Sequence, residues 1–226
     1  MKKVLIIGGG LLVGLITAAI VTIYLSLGSM ITDMIETNGT EMLGTAVTVE
    51  DVEVRPFDGY LTVRGLKIKN PREFNAESIF TLTEMTVLVD TATLRSDLIT
   101  IHQLSLVEPR IYYELEFPEG NNLATIGRNI DAYTKKQEGS AQVEDDDMEP
   151  APNAVAPSDS TEPKLVITKF EMLRAELMSG TNVRSPSLQK FPDFHIENVG
   201  AETGGATPAE VAGYILGIIS KRMVGF

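Results

Sequence analysis

The chain has 226 residues, of which 43% are hydrophobic and 22% charged, and its formal net charge is −12. This length allows one domain or two small ones, and the acidic balance argues against a protein that holds nucleic acid through a basic surface. The sequence contains no Cys, and its only two His residues are His102 and His195. Disulfides, thiolate chemistry and zinc sites built from Cys or several His are therefore excluded, and no cofactor or metal is predicted.

An uncharged apolar segment begins the chain and runs from Val4 to Leu27. At ~1.5 Å per helical residue it is long enough to cross a hydrocarbon core of ~30 Å, so it predicts a transmembrane helix. Lys2 and Lys3 precede it and Asp33 is the first charge after it, which places the N-terminus in the cytoplasm and the rest of the chain on the far side. A cleaved signal peptide is the alternative, although its apolar core is usually only about 7–15 residues long.

Small residues recur inside this segment at Gly10, Gly14 and Ala18. Such a stripe allows close approach of a second membrane helix, and ordinary tolerance of glycine in membrane helices is the alternative. Helical spacing then continues from Ser29 to Glu36 and predicts a short stalk helix, which Asn38-Gly39 is expected to end.

From Thr45 the apolar residues follow the period of two that is typical of β-strands. Val52 and Val54 precede Asp58-Gly59, and a second apolar run follows, so the sequence predicts a β-hairpin here. Further strands are expected at Ile79–Val89, Thr100–Val107, Arg110–Phe117, Leu165–Met172 and Ala175–Met178. Asn70-Pro71 and Glu108-Pro109 are interpreted as turns between strands.

Apolar residues at positions x, x+3 and x+5 recur in four of these strands. The units are Val49/Val52/Val54, Val63/Leu66/Ile68, Ile101/Leu104/Leu106 and Ile167/Phe170/Met172. A step of three changes the face of a regular strand, so each unit is expected to contain a bulge or a sharp twist.

Two short helices and an acidic linker complete the organisation. Leu123, Ile126 and Ile130 share one face of a helix predicted at Leu123–Tyr133. Thr207, Pro208 and Glu210 form a capping box that begins the final helix, whose apolar face is expected to pack on the sheet rather than on a membrane. Residues 137–163 contain eight acidic residues, four prolines and no Lys or Arg, which is typical of a disordered linker.

These patterns predict a mainly β (α+β) protein. An N-terminal transmembrane helix is expected to precede a curved antiparallel β-sheet or groove domain with two short helices and a disordered acidic linker. The expected segments are a transmembrane anchor (1–28), a juxtamembrane stalk helix (29–44), the first part of the β-domain (45–136), the linker (137–163) and the second part of the β-domain with the C-terminal helix (164–226).

Several short motifs, in the same order along the chain, resemble the N-terminal domain of AsmA-like proteins. They are Leu43-Gly44-Thr45, the hairpin through Ile68, the Asn-Pro-x-x-Phe block from Asn70 to Phe74, the strands around Ile101 to Glu114, Gly120-Asn121-Asn122-Leu123, Phe191-Pro192-Asp193 through Asn198-Val199-Gly200, and Gly204 to Glu210. Glu73 departs from the family pattern, which has glycine at that place. The resemblance implies a periplasmic β-groove protein of the bacterial inner membrane, with a role in lipid transport and outer-membrane maintenance.

A sheet with one apolar face must cover that face, so the apolar strand residues are candidates for lining such a groove. The lipid-groove candidates are Val52, Val54, Leu66, Ile68, Leu104 and Leu106, and an ordinary closed core is the alternative for each. The expected ligand is a membrane lipid, with phospholipid as the candidate, and a second copy or another membrane protein is a possible partner through the N-terminal helix. The alternative function is a scaffolding subunit of an envelope complex.

Catalysis has little support in the sequence. A Gly-x-Ser-x-Gly elbow is absent, and His102 falls within a strand pattern. Paired carboxylates are the remaining catalytic possibility, since only the fold decides which of them meet. The sequence therefore predicts a protein that is not an enzyme.

Overall fold

The computed structural model describes residues 26–118, 120–141, 163–180 and 187–223. These residues form a ten-stranded mixed sheet, three α-helices and two short 3-10 turns. The elements are α1 (26–43), β1 (Val47–Thr48), β2 (Asp51–Arg55), β3 (Tyr60–Lys69), β4 (Ser78–Val89), a 3-10 turn (Thr91–Thr93), β5 (Leu98–Glu116), β6 (Gly120–Asn121), α2 (Asn122–Ala141), β7 (Lys164–Leu173), β8 (Glu176–Gly180), β9 (Ser187–Lys190), β10 (Phe194–Val199), a second 3-10 turn (Ala201–Thr203) and α3 (Pro208–Met223).

The strand order is β1-β3-β4-β5-β7-β10, with β2 continuing β1 along β3, and with β8 and β9 continuing β7 and β10. Neighbours are antiparallel except along β5, which pairs in parallel with both β7 and β8. Parallel neighbours need a long crossover connection. Here the chain between β5 and β7 includes α2, which packs on the apolar face of the sheet. The prediction of a purely antiparallel sheet is therefore wrong at this pairing.

The expectation of a transmembrane helix is contradicted. Among the described residues, no helix is long and apolar enough to cross a membrane. α3 has 16 residues, or about 24 Å at ~1.5 Å per residue, and α1 and α2 carry charged side chains along their lengths. This finding overturns the predicted fold class in that element, and with it the predicted single-pass inner-membrane location. The predicted span Val4–Leu27 falls almost entirely in residues 1–25, outside the described residues, as do Gly10, Gly14 and Ala18.

The helix α1 covers the first edge of the sheet. The side chains of Glu36 and Thr40 accept hydrogen bonds from the backbone N–H groups of Val49 and Val47, at 2.8 and 3.0 Å. An uncovered edge strand invites pairing with other chains, so this contact protects β1. The predicted break at Asn38-Gly39 is wrong, because the helix continues to residue 43. Its tolerance of Gly39 has a packing reason: a Cβ there would lie 3.2 Å from Cγ2 of Val47.

The predicted turn at Glu108-Pro109 is also wrong. β5 is one strand of 19 residues, and Glu108 takes a positive φ of 56° within it. β4 pairs with β5 on both sides of this position, since Glu84 lies opposite Val107 and Leu82 opposite Pro109. Pairing with flanking strands therefore keeps the strand continuous through a dipeptide that would turn an isolated chain.

A row of residues with the left-handed backbone conformation crosses the sheet. Gly65 in β3, Glu108 in β5 and Arg174 between β7 and β8 have φ values of 64°, 56° and 53°, and the strand registers place them in one transverse line. At each of these positions the regular alternation of side chains between the two faces of the sheet shifts by one residue. Leu106 and Ile111 are five residues apart, yet both join the same core cluster.

This row accounts for part of the x, x+3, x+5 repeat. The first three units are interrupted between x and x+3 by the break between β1 and β2, by Gly65, and by a register shift opposite Leu88/Val89. The predicted irregularity is confirmed in these three units. In the fourth unit, it is the paired strand β10 that carries a positive φ, at Asn198.

The helices α2 and α3 pack on the inner face of the sheet. Leu123, Ile126 and Ile130 are buried on one face of α2, and Val211 and Ile219 are buried on α3, which confirms both predicted faces. α2 extends to Ala141, into the segment expected to be linker, and residues 142–162 of that segment lie outside the described residues.

The predicted capping box of α3 is confirmed. The backbone N–H of Glu210 donates to Oγ1 of Thr207 at 3.2 Å, and the backbone N–H of Thr207 donates to Oε2 of Glu210 at 2.7 Å. These bonds satisfy N–H groups that a helix start otherwise leaves without partners.

Replacing Thr207 by Ala is expected to lower the free energy of unfolding by about 1 kcal/mol, because the N-cap oxygen is lost. Chemical denaturation followed by circular dichroism measures the change. Thr207→Ser keeps the oxygen and is the matched control, so equal destabilisation by both substitutions would contradict a capping role.

Candidate functional site

The first candidate is a buried carboxylate at the end of β5. Glu114 is 3% exposed and accepts hydrogen bonds from the backbone N–H groups of Asn75 and Ala76 and from the side-chain amides of Asn70 and Asn75, at 2.8–3.0 Å. Burial alone raises the pKa of the Glu114 carboxyl, but these hydrogen bonds outweigh it and hold the pKa below its usual value. The carboxylate is therefore ionised and fully engaged in structure, which makes it a poor proton donor or nucleophile.

Asn122 extends this network to the start of α2. It is fully buried, and its Oδ1 accepts from the backbone N–H groups of Glu114 and Leu123 at 3.1 and 3.0 Å. Its Nδ2 donates to Oδ1 of Asn70 and to the carbonyl of Tyr112, at 2.9 and 2.6 Å. Three of the sequence blocks that carry the family resemblance, those of Asn70, Glu114 and Asn122, therefore meet at one buried site, which we call the Glu114 network (Asn70, Asn75, Ala76, Glu114 and Asn122).

The turn after Asn70 supports the network. Phe74 is buried, and its backbone N–H donates to the carbonyl of Pro71 at 3.0 Å. Glu73, which replaces the glycine of the family pattern, is not among the described residues with positive φ. The turn therefore forms in a conformation that does not require glycine at this position.

The second candidate is an apolar cavity of about 360 Å³ between the sheet and the three helices. Its lining side chains are almost all aliphatic, Met or Phe: Ile35, Met42, Leu43, Val47, Leu66, Ile68, Ile79, Phe80, Met85, Leu106, Ile111, Leu123, Ile126, Ile130, Met172, Ala212, Ile215, Leu216 and Ile219, with Gly39. Apolar pockets of this size can admit apolar ligands. This space suits a hydrocarbon chain.

The structure brings only part of the predicted lipid groove together at this cavity. Leu66, Ile68 and Leu106 line it. Val52, Val54 and Leu104 do not contribute to the lining. Val52 lies in the same cross-strand row as Leu106, and Val54 and Leu104 lie in the next row. A lipid-binding role stays a prediction for all six residues.

The third candidate is a cleft of about 660 Å³ beside the cavity. It shares Leu123 and Leu216 with the cavity lining, so the two spaces adjoin. Its lining mixes apolar and polar groups: Tyr113, Asn121, Leu123, Ala124, Gly127, Asp131, Leu177, Ser179, Gln189, Gly213, Leu216, Gly217, Ser220 and Met223.

Helix glycines widen this cleft. A Cβ added at Gly127 or Gly213 would meet its nearest neighbour at 3.8 or 3.7 Å, and one added at Gly217 would meet nothing within 4 Å. Alanine would therefore fit at all three places, and glycine inside a helix costs about 1 kcal/mol relative to alanine. The three glycines therefore lower helix stability at the positions where they make the cleft wider.

Side chains that could hold a metal ion do not cluster in the described part of the chain. None of its His, Asp and Glu residues form a group of three or more that could hold a metal ion. His102 and His195 are both exposed on strands, and His195 lies opposite Glu171 in the β7–β10 pairing.

Sequence reasoning missed the Glu114 network and the cleft. A glutamate within an otherwise apolar strand pattern, and glycines four residues apart at Gly213 and Gly217 in an apolar helix, were the available signals. Comparison with known proteins adds nothing to these features: no protein-family model matches the chain, and no curated protein matches it.

Proposed function

We propose that this protein binds a lipid, with an acyl chain held in the apolar cavity between the sheet and the helices. The observation that supports this proposal is a cavity of about 360 Å³ with an almost wholly apolar lining. Ligand pockets begin at roughly 300 Å³, and each buried CH₂ group contributes about 0.8 kcal/mol. An acyl chain would fill space that the side chains leave empty.

The adjoining cleft supports the same proposal, since a lipid needs a polar exit next to its apolar site. Leu123 and Leu216 contribute to both spaces, so the polar end of a lipid whose acyl chain lies in the cavity would be close to the cleft. The resemblance to AsmA-like proteins, a family implicated in lipid transport, points in the same direction. Membership of that family is part of the proposal.

Native mass spectrometry of the purified full-length protein tests this function. We expect a bound lipid that is lost from Ala212→Phe, because Ala212 lines the cavity and a phenyl ring would occupy it. Ala132→Phe places the same ring at an exposed position of α2 and is expected to keep the lipid. A lipid-free wild type, or equal lipid content in both variants, would contradict the proposal.

A scaffolding role is the second candidate function. Met30 and Met34 lie one turn apart on α1 and are 58% and 59% exposed, an arrangement suited to packing against a partner helix. The same spectra separate the two candidates. A lipid-free protein in an assembly of defined stoichiometry would favour the scaffold.

A further inference from the structure

The polar end of the cleft has an unusual charge character for a lipid site. Its polar side chains are those of Tyr113, Asn121, Asp131, Ser179, Gln189 and Ser220. Within the described part of the chain, none of the residues lining the cleft is Lys, Arg or His. Proteins usually bind phosphate and carboxylate groups through Arg or Lys, or through free N–H groups at helix starts.

The helix start at the cleft offers an anion few free backbone N–H groups. α2 begins beside it, but the backbone N–H of Ala124 donates to Oδ1 of Asn121 at 2.8 Å and that of Leu123 donates to Oδ1 of Asn122 at 3.0 Å. Two of the N–H groups that would hold an anion are therefore already bonded. The carboxylate of Asp131 adds a negative charge that repels anions.

The remaining polar groups are available to a ligand. In the described residues, the side chains of Asp131, Ser179, Gln189 and Ser220 form no hydrogen bond or ion pair with other protein groups. A carboxylate, an amide and two hydroxyls together accept and donate hydrogen bonds to hydroxyl groups. They match a ligand with several neighbouring hydroxyls and no anionic group.

We infer that the lipid carries an uncharged, hydroxylated polar end, such as the glycerol of an acylglycerol or the sugar of a neutral glycolipid. This inference rests on the proposed lipid-binding function. The acyl chain occupies the cavity, and the hydroxyl groups lie in the cleft against Asp131, Ser179, Gln189 and Ser220, next to the space left by Gly217.

Competition against a fluorescent fatty-acyl probe tests the inference on the full-length protein. The competitors are monooleoylglycerol, oleyl glucoside, oleic acid and oleoyl lysophosphatidic acid, which share an 18-carbon chain and differ in the polar end. We expect at least one of the two neutral, hydroxylated compounds to displace the probe at a concentration about tenfold lower than either anion. The stronger of these two identifies glycerol or sugar as the preferred end.

A charge substitution completes the test. Asp131→Lys is expected to strengthen displacement by lysophosphatidic acid several-fold, whereas Asp58→Lys, which makes the same change at an exposed turn outside the cleft, is expected to leave the order unchanged. Equal displacement by all four compounds, or preference of the wild type for an anion, would overturn the inference and leave lipid binding intact. Failure of all four compounds to displace the probe would overturn both.

Discussion

Replacing Glu114 by Gln is expected to lower the free energy of unfolding by about 3 kcal/mol, because a buried carboxylate with several donors is replaced by an amide. The Gln side chain keeps one acceptor oxygen but turns an NH₂ group toward donors such as the backbone N–H groups of Asn75 and Ala76. Urea denaturation at pH 7 measures the loss. Glu73→Gln makes the same change at an exposed position of the adjacent turn and is expected to cost little.

The same substitution is expected to change the pH dependence of stability. The folded-state pKa of Glu114 lies below its usual value of 4.5, so the folded protein binds fewer protons than the unfolded chain in this range. The stabilisation from the carboxylate is then fully present above the unfolded pKa and is lost as the pH falls through the folded pKa. Between pH 7 and pH 3, the free energy of unfolding should depend less steeply on pH for Glu114→Gln than for the wild type. Identical slopes would contradict the assigned ionisation.

The effects of Glu114→Gln should extend to the proposed lipid site. Asn122 joins the Glu114 network to the start of α2, and the next residue, Leu123, lines both the cavity and the cleft. Loosening of the network displaces the wall that the two spaces share. Hydrogen exchange of the first turn of α2 should therefore increase in Glu114→Gln and stay unchanged in Glu73→Gln.

Replacing Phe170 by Ala is expected to cost about 3–5 kcal/mol. Phe170 is 0% exposed, lies opposite Leu104 and Ile196 in the neighbouring strands, and packs its ring 6.0 Å from that of Phe194. Removing the ring loses its transfer free energy and leaves a cavity, because the sheet on both sides restricts collapse. Thermal and urea unfolding measure the loss.

Phe57→Ala is the matched control for this prediction. Phe57 lies in the turn between β2 and β3 and is 91% exposed, so its removal is expected to change stability by less than about 0.5 kcal/mol. A double variant of Phe170 and Phe194 should lose less than the sum of the single losses, since each ring packs on the other. Similar costs for Phe170→Ala and Phe57→Ala would contradict the assignment of Phe170 to the core.

Features that depend on neighbours along the chain were predictable from the sequence. The hairpin through Asp58-Gly59, the buried face of α2 and the capping box at Thr207 and Glu210 all follow from local spacing and local hydrogen bonds. The x, x+3, x+5 units likewise predicted irregular strands, because a step of three cannot stay on one face of a regular strand.

Features that depend on distant partners were decided only by the tertiary structure. Glu108-Pro109 has the composition of a turn, but pairing with β4 and with β7–β8 holds it inside one long strand. Asn38-Gly39 has the composition of a helix end, but α1 continues because it packs along β1 and β2. Local preferences of about 1 kcal/mol yield to such contacts.

The candidate sites belong to the second group. Hydrophobic patterning by itself determined that the chain has an apolar sheet face with helices to cover it, because the periods of strands and helices are local properties. The meeting of Glu114 with Asn70, 44 residues away, and the space left between Leu106 and Ala212 depend on how whole elements pack. Periodicity records which face of an element is buried, whereas only the packed structure decides what each face meets and where it leaves room.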